Sequence, residues 1–522
     1  MSFQLTYSTM FNPPAELHQR FDAAVARVVA GLGRRYGCFI DGADRSPATT
    51  KMLHSPIDRE LVLGEFADAS AAEADIAMQA AHRAFAQWRK TSMTERMRLL
   101  RKAAVLMEAR VYEIAAALTL EVGKNRMEAL GEAQETVDFF RVYCDHYERE
   151  GGFYHPLPND PVNGYISRNR SVMKPHGAWV VITPFNFPFA LAGGPVAAAL
   201  VTGNTVVLKG ATTTPWAGRL LADCMRDAGF PAGVFNYVSG SGRVVGEALI
   251  SHPLTAGVTF TGSYETGMAI ARKMLSGAYP RPCIAEMGGK NACIVTAEAD
   301  LERAALGITR SAFGMAGQKC SALSRLYVHS SVADKLIEQL QQHLGEIRIG
   351  NPLEQKHWLG PVATEAGYRA YGEYSALLRT QGSRLLIGGH YLRDGDNSRG
   401  YYVKPTLAEA SDQHPLWQQE MFLPILMINR CSSNDEAMAK ANATPLGLTA
   451  GIYGSRDEVS WFHEHIEAGV TYANRPQGAT TGAWPGYQPF GGWKGSSTTG
   501  KAIASFYYLA QYLREQSQTV VE

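Results

Sequence analysis

From Trp179 onward the sequence alternates short β-rich runs with helical patterns, and that alternation leaves few folds open. The runs WVVI, NTVVL, GVFNYV, GVTFTG and NACIVT are separated by helical stretches at residues 216–228 and 241–250. Strands that each feed a helix pair in parallel within an α/β sheet. A second series predicts a second α/β unit: SRLYVHS, a helix over 332–344, SRLLIGG, PILMINR and a helix over 433–441. Because a single hydrophobic core stops growing near ~250–300 residues, a chain of 522 residues requires at least two domains in any case. Ahead of both series, apolar residues at helical spacing predict helices over 71–89, 94–118 and 126–147. Residues 154–173 are polar and rich in Pro and Asn, then return to strand-like YISRNRSVM, as an arm or hairpin would.

One segment resembles a membrane span by length alone. Residues 177–208 form a run of 32 without Asp, Glu, Lys or Arg, longer than a bilayer core needs. Pro184, Pro188 and Pro195 break it, with Asn186 among them, and a lipid-exposed helix would have to satisfy the freed backbone groups elsewhere. The expected structure is strand, irregular loop, short helix and strand, all buried in a soluble protein. Charge excludes another class of partner. Fifty Lys plus Arg balance 49 Asp plus Glu, with no run of five or six like charges, so nucleic acid is not an expected partner. The seven cysteines are scattered without a C-x-x-C pair, which predicts reduced thiols and a cytoplasmic setting. The N-terminus lacks the basic and apolar regions of a signal peptide. His463 and His465 form an H-x-H pair with no third ligand nearby, so no metal site is expected.

Several residues could carry chemistry. Cys320, in FGMAGQKCSALSRLYV, follows glycines and Lys319 and precedes a strand. A nucleophilic thiol needs some exposure and a lowered pKa, which nearby cations or amide donors would supply. Glu286, in IAEMGGKNACIVT, stands before a Gly-Gly turn, a setting suited to a general base acting through water. Asn186, in TPFNFPFALAGG, places an amide among aromatic rings and prolines, where an unpartnered amide costs ~1–3 kcal/mol and an NH₂ is reserved for an oxyanion. In VTFTGSYETG a strand runs into Gly262, Ser263 and Gly267 at the head of a helix, and GSGRVVG, containing Gly242, precedes another. Backbone N–H groups at such helix starts hold pyrophosphate. Lys209 ends the strand NTVVLK, at the edge where ligand crevices open in parallel sheets. Taken singly, each has a plain structural alternative: a small buried thiol, a solvated loop acid, a turn amide, a surface lysine.

Together, PFNFP, VVLK, FTGS, EMGGKN, GQKC, QEMF and PFGG resemble the aldehyde dehydrogenase superfamily, in its motif order and over nearly the whole chain. Cys320 follows Glu286 by 34 residues, which matches the family's spacing of base and nucleophile. The resemblance implies two parallel-sheet α/β domains and a β arm for oligomerisation. The NAD(P)-binding domain would be split over 1–156 and 176–286, the arm would comprise 157–175 and 500–522, and the catalytic domain 287–499. It also implies NAD or NADP as cofactor, a small aldehyde as substrate, and a homodimer or a multiple of dimers. Cys320 would be the nucleophile, Glu286 the base, and Asn186 an oxyanion donor. Lys209 and Thr212 would meet the adenosine ribose. Ser263 and the Gly262–Gly267 turn, with Gly242 nearby, would hold the pyrophosphate. Glu420 and Phe422 would orient the nicotinamide ribose and ring, with Pro184 and Phe185 lining the same crevice.

A narrower resemblance lies in EVGKNRMEALGEAQETVDFF, GQKCSALSR and TGAWPGYQPFGG, which are similar to the branch that oxidises glutamate γ-semialdehyde (1-pyrroline-5-carboxylate when cyclised) to glutamate in proline catabolism. That branch would hold the substrate α-carboxylate on Ser321, Gly482 and Ala483, and its aliphatic chain between Phe187 and Phe490. Three departures bear on the transfer. The run from Asn474 to the Gly-Ala pair is longer than in that branch, Leu423 replaces a common glycine, and Thr212 replaces the ribose-binding Glu. The first leaves a broader semialdehyde or aliphatic aldehyde dehydrogenase as the alternative, the second is expected to alter packing around the cofactor ring, and the third predicts tolerance of NADP. A non-catalytic binding protein on the same scaffold is the remaining class.

Overall fold

The computed structural model describes residues 4–161, 163–380, 383–478 and 483–522. Its first large sheet runs in the order Cys283–Glu286, Thr255–Thr261, Ala178–Ile182, Thr205–Lys209, Phe235–Val238, Cys38–Ile40 and Ala43–Arg45. The first five strands are parallel, and the last two add an antiparallel edge. The second sheet runs Arg384–Ile387, Thr406–Glu409, Ile425–Cys431, Leu323–His329, Asn291–Val295, Thr449–Tyr453 and Val470–Ala473. It is parallel except for its first strand. These are the two α/β units that the alternation predicts.

The uncharged run becomes the centre of the first unit. It forms the strand Ala178–Ile182, an irregular loop, the 12-residue helix Ala190–Val201 with Pro195 inside it, and the strand Thr205–Lys209. Strands central to a parallel sheet are covered on both faces, so they read as unbroken apolar runs. Among the described residues, no helix is long and apolar enough to cross a membrane.

Registers at the carboxyl edge of this sheet explain why distant motifs meet. Lys209 lies level with Ile182 and Val238, and Thr261 with Glu286. The loops leaving these strands carry Pro184–Phe187, Thr212, Gly240–Gly242 and Gly262–Ser263. All therefore open on one side of the sheet.

The helical layer differs from expectation at one point. Residues 94–118 do not form a single helix: Met93–Ala109 ends at Arg110 and Val111–Val122 begins there, with Arg110 at φ −109° and ψ 11°. Arg110 is paired with Asp227 at 2.6 Å, and the helix beyond it turns into the core, with most of its residues buried. After Gly123 (φ 85°) the chain enters Arg126–Arg149, capped by Asn125, whose Oδ1 accepts from the N–H groups of Met127 and Glu128. Residues 241–250 are also not one α-helix. Gly242–Gly246 forms a π-turn before the short helix Glu247–Ser251, as two weak helix formers in five residues favour.

The arm is a three-stranded antiparallel sheet of Leu513–Val521, Ser167–Pro175 and Tyr154–Leu157. Its first strand begins ahead of residue 157. The tail from 500 does not go to the arm at once, because Ile503, Ala504, Tyr508, Leu509 and Tyr512 first pack into the core of the helical layer and first sheet.

Candidate active site

The loop before Cys320 is held in an uncommon backbone conformation. Met315, Ala316 and Gly317 have φ of 54°, 54° and 67°, and each non-glycine in this region costs roughly 1–2 kcal/mol. Surrounding contacts hold the loop in place. Gln318 Oε1 accepts from the Ala363 N–H at 2.8 Å, and Asn291 Nδ2 donates to the carbonyls of Cys320 and Ala322 at 2.7 and 2.9 Å. Gly317 is required twice over, by its φ and by the Leu423 carbonyl pressed against the place a Cβ would occupy.

The thiol environment reverses one expectation. Burial pushes the Cys320 thiol well above its ordinary pKa, and the charges of Glu286 and Glu420 add to this. The backbone N–H groups of Ser321 and Cys320 oppose the rise without overcoming it. Lys319, the adjacent cation, is engaged elsewhere, with its Nζ 3.3 Å from Glu128. In the free protein these surroundings favour the thiol over the thiolate at Cys320. The other six cysteines are also free, and five of them are buried.

Glu286 ends the edge strand Cys283–Glu286, and its carbonyl accepts from the Gly262 N–H at 3.1 Å. Its buried Oε1 has no hydrogen-bond partner among the described residues. Burial, with a contribution from Glu135, pushes its pKa up to about 8. Asn186 is buried and donates from Nδ2 to the Gln318 carbonyl at 3.0 Å. That bond aims the amide at the Cys320 loop and uses one of its two N–H groups.

Cys320, Glu286, Ser321, Ala483, Phe187 and Phe490 all line one cavity of about 60 Å³. The sequence places these six together only through resemblance; the structure brings them together in space. Gly482 lies outside the described residues. Tyr7, Glu135, Phe139, Leu191 and Ile503 complete the wall, and none of them stands out in the sequence reading.

Glu135 had a legible signal. Glu128, Glu132 and Glu135 recur at helical spacing in Arg126–Arg149, the first two buried and the third half-buried. Three acids on an inward face require partners. Glu132 pairs with the fully buried Lys124 at 2.5 Å and accepts from the Phe189 and Ala190 N–H groups. Lys124 Nζ also lies 3.5 Å from the centroid of the Phe187 ring, fixing one cavity wall. Glu128 takes Lys319. Glu135 instead accepts a neutral Tyr7 hydroxyl at 2.8 Å, and burial pushes its pKa up to about 8. Tyr7 sits in an N-terminal segment without a motif, and no sequence signal points to it.

On the cofactor side, Lys209 is buried at its strand end, and desolvation lowers its pKa to about 8. Among the described residues it forms no ion pair. Thr212 donates to the Gly240 carbonyl at 3.1 Å and lines a hollow of about 270 Å³ with Pro215, Ser239 and Gly240. Ser263 caps the helix Tyr264–Leu275. Gly242 is exposed, with open space where a Cβ would stand. Gly267 differs from expectation: its N–H donates within the helix to the Ser263 carbonyl at 2.9 Å, so it is not a turn donor. A Cβ on Gly267 would lie 2.5 Å from Met287 Sδ, which makes it a close-packing glycine.

Glu420 Oε1 accepts from the Gly289 N–H at 2.9 Å, and burial pushes its pKa up to about 7. Phe422, at φ 57°, meets Phe185 edge-on with centroids 5.7 Å apart, in the loop that also holds Pro184. Leu423 is buried and belongs, with Val362, to the core of the second sheet. The buried cation and the helix start on one edge of the first sheet, with the carboxylate that the second unit anchors on Gly289, fit a dinucleotide.

The Aldehyde dehydrogenase family pattern matches residues 44–517. The chain is 38% identical over 512 residues to the 1-pyrroline-5-carboxylate dehydrogenase of Geobacillus thermodenitrificans (strain NG80-2), covering 97% of this chain and 96% of that one. It is likewise 38% identical to 1-pyrroline-5-carboxylate dehydrogenase 2 of Bacillus subtilis (strain 168), with the same coverage. Its fold is similar to that of 1-pyrroline-5-carboxylate dehydrogenase from Thermus with bound NAD, at a TM-score of 0.93 and 33% identity, over 100% of this chain and 99% of that one. The chain belongs to the aldehyde dehydrogenase family.

Proposed function

We propose that this NAD(P)-dependent aldehyde dehydrogenase oxidises L-glutamate γ-semialdehyde, the open form of 1-pyrroline-5-carboxylate, to glutamate in proline catabolism. The observation that carries this reading is a single, mostly apolar cavity lined by the Cys320 thiol, the Glu286 carboxyl and the polar groups of Ser321, Glu135 and Tyr7. Ser321 supplies a hydroxyl and Ala483 a backbone N–H for the α-carboxylate, donors that bring no competing charge. Glu135 is suited to the neighbouring α-ammonium. Phe187 and Phe490 flank the carbon chain. The relatives that carry this activity in their names align over nearly the full chain.

The chemistry follows from the chain's own groups. Cys320 gives up its proton to the carboxylate form of Glu286, which passes it on to solvent, and the sulfur attacks the aldehyde carbon. The oxyanion of the thiohemiacetal is held by the second N–H of Asn186 and by the Cys320 N–H; loss of one such donor costs about 3–4 kcal/mol. A nicotinamide dinucleotide held by Lys209, Thr212, Gly242, Gly262, Ser263 and Glu420 supplies the hydride acceptor. Glu286 as carboxylate then takes a proton from water, which attacks the thioester and releases Cys320.

Thr212 in place of a carboxylate removes repulsion against a 2′-phosphate. The acids Asp68 and Glu365 in the same hollow are paired with Lys51 and Arg369. Both NAD and NADP therefore suit the site. Among the described residues, the arm sheet leaves one edge unpaired on Leu513–Val521 and one on Tyr154–Leu157. Pairing such edges between copies protects them, and a cytoplasmic homodimer or multiple of dimers is the proposed form.

The test is a substrate panel of 1-pyrroline-5-carboxylate, succinic semialdehyde and simple aliphatic aldehydes. Highest kcat/KM on 1-pyrroline-5-carboxylate supports the reading. Preference for simple aldehydes overturns it.

A further inference from the structure

Residues 4–12 lie ahead of the region that the family pattern matches, yet they supply part of the substrate cavity. Tyr7 is buried, and its ring lies edge-on to Trp484 and Phe187, with centroids 5.1 and 6.5 Å apart. Its hydroxyl donates to Glu135 Oε2 at 2.8 Å. The helix Arg126–Arg149 is shaped to receive it. Gly131 stands one turn before Glu135, and a Cβ there would lie 2.7 Å from Tyr7 Cε1. Glycine weakens a helix interior, so its place here marks a needed clearance. The segment is also fastened outside the cavity. Ser8 Oγ accepts from Arg475 Nη2 at 2.7 Å, and the Arg310 guanidinium lies 3.8 Å from the centroid of the Phe11 ring.

Glu128 and Glu132 are each paired with a lysine, whereas Glu135 forms no ion pair among the described residues: it accepts from the neutral Tyr7 hydroxyl, and the Lys124 charge acts on it from farther away. Burial raises the Glu135 pKa to about 8 in the free site, and an incoming ammonium favours its carboxylate form; a phenol hydroxyl fixes one carboxylate oxygen without cancelling that charge, leaving the other oxygen to accept from the cation. We propose that Tyr7 is a positioning residue for Glu135, and that the pair makes the enzyme discriminate in favour of aldehydes carrying an α-ammonium. This rests on the substrate reading above and assigns a specificity role to a segment outside the matched family region.

The test uses the full-length chain and two substrates, L-glutamate γ-semialdehyde and 5-oxopentanoate, which has the same chain, aldehyde and carboxylate but no ammonium. Tyr7→Phe keeps the ring and removes the donor. The expected result is about a fivefold rise in KM for L-glutamate γ-semialdehyde with kcat within about twofold, the scale of one ordinary net hydrogen bond. The preference ratio in kcat/KM falls by about the same factor. Gly131→Ala, which crowds the ring while sparing the hydroxyl, lowers the same ratio and carries the comparison where Tyr7→Phe does not fold. Equal changes on both substrates, or none, overturn the proposal and leave Tyr7 a packing residue. A wild-type enzyme without preference between the two substrates sinks the substrate reading itself, whatever the variants do.

Discussion

Glu286 and Cys320 line the same cavity, and the charge of the acid raises the pKa of the thiol. The two groups therefore resist ionising together. Glu286 holds its proton up to about pH 8, which relieves the thiol of a like charge at neutral pH. A thioester is hydrolysed only by the carboxylate form, because only that form can take a proton from water.

The pH dependence follows with a definite sign. The base form of Glu286 accumulates as pH rises through about 8, so kcat climbs between about pH 7 and 9 when deacylation limits turnover. Glu286→Gln removes this limb and leaves thioester hydrolysis slow. Stopped-flow absorbance should then show a burst of reduced coenzyme followed by a much slower steady rate. A variant with no burst and a normal rate would take Glu286 out of the deacylation step.

Cys320→Ala tests the covalent step separately. Turnover should fall to background, while coenzyme binding followed by fluorescence quenching stays within about twofold, since the buried Lys209 and the Ser263 cap lie in other loops. Retained activity would remove the thioester route.

Coenzyme choice turns on Thr212. Its hydroxyl is tied to the Gly240 carbonyl and brings no charge toward a ribose phosphate. Thr212→Glu should lower the NADP-to-NAD ratio of kcat/KM by about tenfold, the effect of one like charge worth ~1.4 kcal/mol. Strict use of NAD by the wild-type enzyme would contradict the Thr212 argument.

The sequence carried the sheets well because strands buried on both faces leave unbroken apolar runs between helices, and the parallel order then fixes which loops share an edge. That logic puts Lys209 and the Gly262–Ser263 turn each at the carboxyl end of a strand, whereas Glu286 joins them only through its register with Thr261. The break at Arg110 was not legible, since a helix that turns inward keeps its apolar spacing on both sides of the turn. The direction of the Cys320 shift was misread because adjacency in sequence placed Lys319 beside the thiol, whereas Glu128, far upstream, takes its charge. Tyr7 was invisible for a related reason: its importance comes from a clearance at Gly131 and an acceptor at Glu135, neither of which leaves a mark on residues 4–12.

Gly317 gives a prediction that separates loop conformation from chemistry. Its φ of 67° continues the left-handed stretch begun by Met315 and Ala316, and the Leu423 carbonyl occupies the space above its Cα. Gly317→Ala adds a Cβ that must both adopt a disfavoured φ and displace backbone. The conformational part alone costs about 1–2 kcal/mol, and the crowding adds to it. Thermal unfolding should show a lower melting temperature, and kcat should fall because the displaced loop carries Cys320 and the Gln318 carbonyl that orients Asn186. Ala316→Gly relaxes the neighbouring left-handed residue without a new contact. It should leave stability close to the wild type or raise it slightly, since the strain it relieves opposes glycine's greater unfolded-chain entropy. Equal losses in the two variants would show that the loop does not depend on its left-handed backbone.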